Sequence, residues 1–133
     1  MREFKFRGKI IDHRTRFLKT LGYTVGDWIY GQNISVEPDD IDKDKTHVFI
    51  CGIQVHPDTV GQYIGKSDFD EDIYDGDIIL DLDGEYGVID YNEEKLRHEI
   101  SYEIDWYFVG DVSFHVVGNL WDNPELLIQD SEE

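Results

Sequence analysis

Apolar and polar residues alternate along this chain more often than they follow the i, i+3, i+4 spacing of an amphipathic helix, which predicts a mainly β fold. Phe4 and Phe6 share one face of a first strand and Glu3, Lys5 and Arg7 the other, so both phenylalanines are expected under a sheet. From Tyr23 to Val36, the residues Val25, Trp28, Ile29, Tyr30, Ile34 and Val36 lie between glycines and suit one or two short strands. The polar, proline-marked run Glu37 to Lys45 reads as a surface loop. Thr46 to Val55 reads as a strand, ended at His56-Pro57, where proline removes a ladder donor and restricts its predecessor.

Ile78-Ile-Leu-Asp-Leu82 and Glu85-Tyr-Gly-Val-Ile-Asp-Tyr91 flank Asp83-Gly84, a pair that favours a two-residue type I′ hairpin because both positions need positive φ. Asn92 to His98 reads as a short helix or a polar excursion anchored by Leu96. Ile100, Tyr102, Ile104, Trp106 and Phe108 then alternate with polar neighbours, which predicts one strand laying an aromatic stripe on the core. A further strand is expected over Asp111 to Val117, and Trp121-Asp-Asn-Pro-Glu-Leu-Leu127 carries cap residues before Pro124, the mark of a short C-terminal helix or turn. The tail Gln129 to Glu133 is expected to fray. The fold class is therefore a small antiparallel sheet or partly open barrel. At 133 residues one domain is expected, with an N-terminal β region over 1–57 and a C-terminal barrel-like region over 58–128 as its two parts.

Charge narrows the partners. Thirty acids against twelve bases give a formal net charge of -18, a field that repels phosphates and anionic membrane surfaces, so direct nucleic-acid binding is disfavoured. Residues 1–19 run the other way, with a net charge of +5 on seven bases and two acids, which leaves -23 on the rest. That contrast predicts pairing of the basic segment with its own body or with a neighbouring subunit. Eighteen aromatics supply enough apolar surface for a packed core. No window is apolar enough to span a bilayer, and the one cysteine, Cys51, excludes an internal disulfide, so the expected setting is the cytoplasm.

Candidate chemistry concentrates in one place, where Asp68, Asp70, Asp72, Asp75 and Asp77 fall within ten residues. An EF-hand loop starting at Asp68 has acids at positions 1, 3 and 5, but Ile73 stands at position 6, where glycine is needed, and Ile79 at position 12, where a bidentate glutamate is needed. A polar turn feeding a strand explains the same residues without a metal. His47 and Cys51, on one predicted strand, are about 13 Å apart at ~3.3 Å per residue, too far for a dyad. Ser113 and His115 share a strand face, yet no serine sits in a nucleophile elbow. No spacing of histidines and cysteine matches a zinc site and no glycine-rich phosphate loop is present, so no catalytic residue, metal or cofactor is expected. Thr24-Val-Gly-Asp-Trp-Ile-Tyr-Gly31 and Thr59-Val-Gly-Gln-Tyr-Ile-Gly65 echo one another, too weakly to establish a repeat.

Five segments in this order carry a likeness to a known family: Met1-Arg-Glu-Phe-Lys-Phe-Arg-Gly-Lys9, Trp28-Ile-Tyr-Gly31, Thr59-Val-Gly-Gln-Tyr-Ile-Gly65, Ile73-Tyr-Asp-Gly-Asp-Ile78 and Val117-Gly-Asn-Leu-Trp-Asp-Asn-Pro-Glu-Leu-Leu127. On these the chain resembles the YopX family of phage and prophage proteins. The likeness implies a mainly β fold and a phage or prophage setting in a bacterial host, and it carries no activity, catalytic residue or cofactor to transfer. Residues 66–72 depart from the family pattern, which has a loop there that is not an acid cluster, and residues 14–23 are longer than usual. The Tyr74-Asp-Gly-Asp77 segment before a hairpin is also similar to small SH3-like barrels, which assigns no partner. The expected function is a non-enzymatic accessory module that binds a protein or self-associates. Trp28, Tyr30, Gln62, Tyr63, Tyr74 and Asp77 are the candidate partner-binding residues. The rivals are an acidic mimic of nucleic acid that inhibits a host enzyme, and a metal-assisted hydrolase built on clustered carboxylates.

Overall fold

In the computed structural model, which describes residues 4–102 and 105–128, short hydrophobic runs pair as antiparallel strands and the chain divides between Tyr63 and Ile64 into two units. The fold is mainly β, as the alternation predicts, and no closed barrel forms among the described residues. No helix is long and apolar enough to cross a membrane among these residues.

In the first unit β1 (Phe6–Lys9) pairs with β2 (Trp28–Gly31), in register from Phe6 with Gly31 to Lys9 with Trp28, and with the start of β6 (Gly61–Lys66) through Phe6 with Gln62 and Arg7 with Gly61. A second sheet orders β3 (Ile34–Pro38), β4 (Thr46–Ile50) and β5 (Ile53–Val55) antiparallel. Ile10, Leu18, Ile29, Ile50, Ile53 and Val55 are buried together as its core, each contributing about 1.5–3 kcal/mol of transfer free energy. Phe6 packs against this core, but Phe4 is exposed rather than beneath the sheet, since β1 begins only at Phe6.

The expected loop Glu37 to Lys45 is shorter, since Glu37 and Pro38 belong to β3 opposite His47 and Thr46, and two larger features depart from the sequence reading. Thr46 to Val55 is a hairpin and not one strand: Ile50 faces Ile53, and the reversal is made by Cys51 and Gly52, at φ 52° and 79°. Both positions take the positive φ of a I′ turn, with cysteine where asparagine or aspartate is usual. Thr15–Leu21 forms a helix, α1, that the strand-dominated pattern hides because Leu18 is its only buried residue. Asp12, itself buried, holds the start by accepting from Arg14 N (2.9 Å) and from the Arg14 guanidinium, and those bonds keep its carboxyl well below the usual range. Gly22 ends the helix at φ 86°, with Tyr23 N donating to Leu18 O and Gly22 N to Lys19 O, a Schellman closure that needs the left-handed position.

The second unit is built on a five-stranded antiparallel sheet, ordered β11 (Trp106–Phe108), β10 (Arg97–Ser101), β9 (Tyr86–Asn92), β8 (Asp77–Asp81) and β12 (Phe114–Asn119). β7 (Asp72–Tyr74) is hydrogen-bonded to β6. Ile73, Ile79, Ile89, Ile100 and Phe114 form the core, with Ile64, Tyr102, Val109, Val112 and Val116 packed around them. The expected Asp83-Gly84 hairpin joins β8 to β9, but only Gly84 has positive φ. Gly84 N donates to Asp81 O and Asp81 N to Glu85 O, so the loop is a type I turn closed by a left-handed residue rather than I′. Asn92 to His98 is not a helix: Asn92 ends β9, Arg97 and His98 open β10 opposite Asn92 and Tyr91, and the polar excursion is the turn 93–96 between them. Pro124–Leu127 makes the expected C-terminal turn as one stretch of 3-10 helix.

Ile100 to Phe108 is the largest correction. The chain reverses between Tyr102 and Asp105, with Tyr102 N donating to Asp105 O at 2.7 Å, and β11 returns alongside β10 with Ser101 opposite Trp106, Ile100 opposite Tyr107 and Glu99 opposite Phe108. Glu103 and Ile104 of the predicted stripe lie outside the described residues, as do Met1 to Glu3 and the Gln129 to Glu133 tail.

Candidate functional site

The reversal decides where the aromatic stripe goes. Residues directly opposite in an antiparallel pair share a sheet face, so Tyr107 joins Ile100 and Tyr102 on the core side, while Trp106 and Phe108 join Ser101 and Glu99 on the other. All three aromatics of β11 stay exposed, Trp106 at 42%, Tyr107 at 48% and Phe108 at 42%. They stand on the last strand of the sheet, and no further strand is hydrogen-bonded to it among the described residues. Because Tyr102 and Asp105 form a hydrogen-bonded pair, alternation along the ladder points the N–H groups of Trp106 and Phe108 away from β10.

Charged groups hold this edge. Glu99 is 2% exposed and accepts from Asn92 Nδ2 at 2.8 Å and from Arg97 Nε and Nη2 at 2.6 Å each, while the Arg97 guanidinium lies 4.6 Å from the centre of the Phe108 ring. Burial pushes the Glu99 carboxyl up, but the bonds from Asn92 and Arg97 together outweigh it and leave it below its ordinary value. On the core side Tyr102 and Tyr107 meet edge to face at 5.5 Å, and Tyr102 OH donates to Asp81 Oδ2 at 2.9 Å. Burial, then that bond, raises the Tyr102 phenol. Beside these rings opens a cavity of about 390 Å³, rimmed by Asp81, Asp83, Glu85 and Asp111.

The opposite edge of the sheet is closed, and the acidic segment closes it. Residues 67–71 form a tight loop in which Ser67 N donates to Glu71 O and Asp70 N to Ser67 O. Its side chains then reach β12. Glu71 Oε1 accepts from Val116 N at 3.0 Å, Ser113 Oγ donates to Asp68 Oδ2 at 2.7 Å, and Phe69 stacks on His115 at 3.9 Å, with His115 Nδ1 3.4 Å from Glu71 Oε2. Burial raises the Glu71 carboxyl, and the bonds from Val116 N and His115 pull it below its ordinary value. No group of three or more candidate metal ligands occurs among the described residues, and Ser113 bonds Asp68 rather than His115. His47 and Cys51 are likewise apart in role: His47 bonds Asp39 and Gln54, and Cys51 sits in a turn.

The six residues expected from sequence divide between the units. Trp28, Tyr30 and Tyr63 share a face of the β2, β1, β6 set with Lys5, Arg7 and Lys9, whose cationic groups lie 4.4 Å (Lys5 on Tyr63), 4.8 Å (Arg7 on Trp28) and 5.5 Å (Lys9 on Trp28) from ring centres. Gln62 points to the other face, opposite Phe6. Tyr74 and Asp77 are buried in the second unit, where Asp77 Oδ2 accepts from Tyr74 N at 2.7 Å and fixes the turn before β8. Of the six only Tyr30 is exposed. Trp106, Phe108, Arg97 and Glu99 were not singled out, and the Arg-x-Glu spacing that puts Arg97 and Glu99 on one strand face is the signal that could have found them.

Fold and edge together define a small open-sheet β protein with one sheet end blocked and no further strand on the other among the described residues. The chain belongs to the YopX family: the YopX protein family profile matches residues 5–128. A search of curated proteins found no match.

Proposed function

We propose that this YopX-family chain is a non-enzymatic protein-binding module of a phage or prophage, and that its partner adds an extended segment to β11 as a further strand. The observation that carries this is the run Trp106-Tyr107-Phe108, three exposed aromatics on a sheet edge from which the N–H groups of Trp106 and Phe108 point outward. Such an edge is a template for strand addition, with main-chain bonds supplying affinity and alternate side chains selecting the partner. Only three residues long, it relies on those side chains, and Trp, Tyr and Arg are the types that anchor interfaces.

Phe108 has φ -63°, which proline adopts without strain, and the alternation of the ladder turns its N–H away from β10. Phe108→Pro therefore removes an outward donor and a ring while leaving the ladder intact. The test immobilises wild type and Phe108→Pro, after circular dichroism shows both folded, and passes bacterial host lysate over each. The expected result is a protein held by wild type and lost from the variant which, once purified, slows amide exchange at residues 105–108. Equal capture by both, or slowed exchange confined to other segments, overturns the reading.

A further inference from the structure

Resting on that reading, we infer that the segment accepted by β11 is basic, an extended stretch of a protein partner in which lysine or arginine alternates with apolar residues. The described residues of 81–113, which run from the β8–β9 loop through β9, β10 and β11, contain nine acids and two bases. One of the two bases, Arg97, is committed to Glu99 and the Phe108 ring. The acids are less committed. Asp81 is held by Asp83 N, Glu85 N and Tyr102 OH, but Asp83, Glu85 and Asp111 make no ion pair among the described residues.

Geometry adds to charge. The cavity rimmed by these carboxylates is walled by Tyr102 and by Tyr107 of β11 itself, so it lies on the core side of the strand that the partner would extend. A long basic side chain fits such a place, with its aliphatic stem along the rings and its cation at the acidic rim. On the other face the next side chain of the incoming strand meets Trp106 and Phe108, which favours an apolar residue there. Alternation of basic and apolar positions therefore follows from the two faces of one strand. An acidic segment meets uncompensated carboxylates, and the like-charge contact works against it.

The experiment uses the full chain with three synthetic octapeptides: alternating Lys and Val, alternating Glu and Val, and a Lys and Gly peptide of equal charge. Amide exchange at 105–108 and tryptophan fluorescence are read at low and at high salt. The Lys and Val peptide is expected to slow exchange at the edge, to bind several-fold more weakly at high salt, and to lose affinity in Phe108→Pro. It is also expected to weaken several-fold in Asp83→Asn with Asp111→Asn, two exposed side chains whose replacement leaves the fold in place. If the Glu and Val peptide protects the edge equally well, strand addition stands and the basic preference is overturned. If the Lys and Gly peptide binds as tightly without protecting 105–108, charge alone is at work and the inference falls. If neither valine peptide protects the edge, the strand-addition reading itself fails. Concentration-dependent dimerisation that protects 105–108 and excludes the Lys and Val peptide makes the occupant a second copy and overturns the inference.

Discussion

Among the described residues three other than glycine hold positive φ, Cys51 at 52°, Asp70 at 63° and Leu96 at 55°, and each sits in a tight reversal. Left-handed backbone disfavours a side chain by about 1–2 kcal/mol, least for aspartate and asparagine. Leu96, 75% exposed, gains nothing from packing in return. Leu96→Gly and Asp70→Gly are therefore both expected to raise the urea midpoint, with Leu96→Gly the larger gain at about 1 kcal/mol after the added freedom of the unfolded chain is subtracted. A drop for Leu96→Gly would show that its side chain has a role in the turn. Asp39 gives a pH signature. Asp42 N–H, the His47 ring and Ile41 N–H all bond its carboxylate and lower it to about 2. A carboxyl depressed in the folded state stabilises above its unfolded value and loses that contribution as pH falls through the folded one. The gap in thermal midpoint between wild type and Asp39→Asn is thus expected at pH 5 and should close between about 4 and about 2, while a gap that persists at pH 2 would mean the side chain acts through shape alone.

Among the elements, the loops at 67–71 and 81–85 are built the same way. Each starts with a polar side chain that accepts from backbone N–H groups ahead of it, Ser67 from Phe69 and Glu71, Asp81 from Asp83 and Glu85, and each places a left-handed residue fourth, Asp70 or Gly84. The second could be read from its Asp-Gly; the first could not, because aspartate stands where glycine would announce the turn. The same limit hid two other reversals. Neither carries the Asn-Gly or Asp-Gly pair that announces a hairpin, so Thr46 to Val55 and Ile100 to Phe108 each read as one strand. The reversal changes which residues share a face, and this is why Trp106 and Phe108 are outside rather than on the core with Ile100. The candidate edge was illegible for that reason. The closed edge carries its own prediction. Glu71→Ala deprives Val116 N of its acceptor and is expected to destabilise by about 1 kcal/mol and to speed exchange of that amide. Glu71→Gln, which keeps an acceptor, should leave the exchange rate near wild type, and equal exchange in both variants would remove the role assigned to the loop.

At the scale of the whole molecule, a formal charge of -18 on 133 residues means that folding gathers like charges. Self-repulsion opposes the compact state and is screened by salt. Raising salt from about 0.01 M to about 1 M, which contracts the screening length from about 30 Å to about 3 Å, is expected to raise the urea midpoint. A falling midpoint would show that attractive pairs such as Arg14 with Asp12 and Arg97 with Glu99 dominate instead. Mainly β character and family were legible from alternation and from ordered short segments, since both depend on local chemistry. The position of the open edge depends on which strand comes last in the sheet, and no local pattern encodes that.

A sheet blocked at β12 and uncovered at β11 is monovalent. Two copies that met through β11 would end this five-stranded sheet at β12 on both sides, so edge-to-edge growth of this sheet terminates at a pair. The cluster of aspartates and glutamate before β7 acts in this respect as a chain stopper.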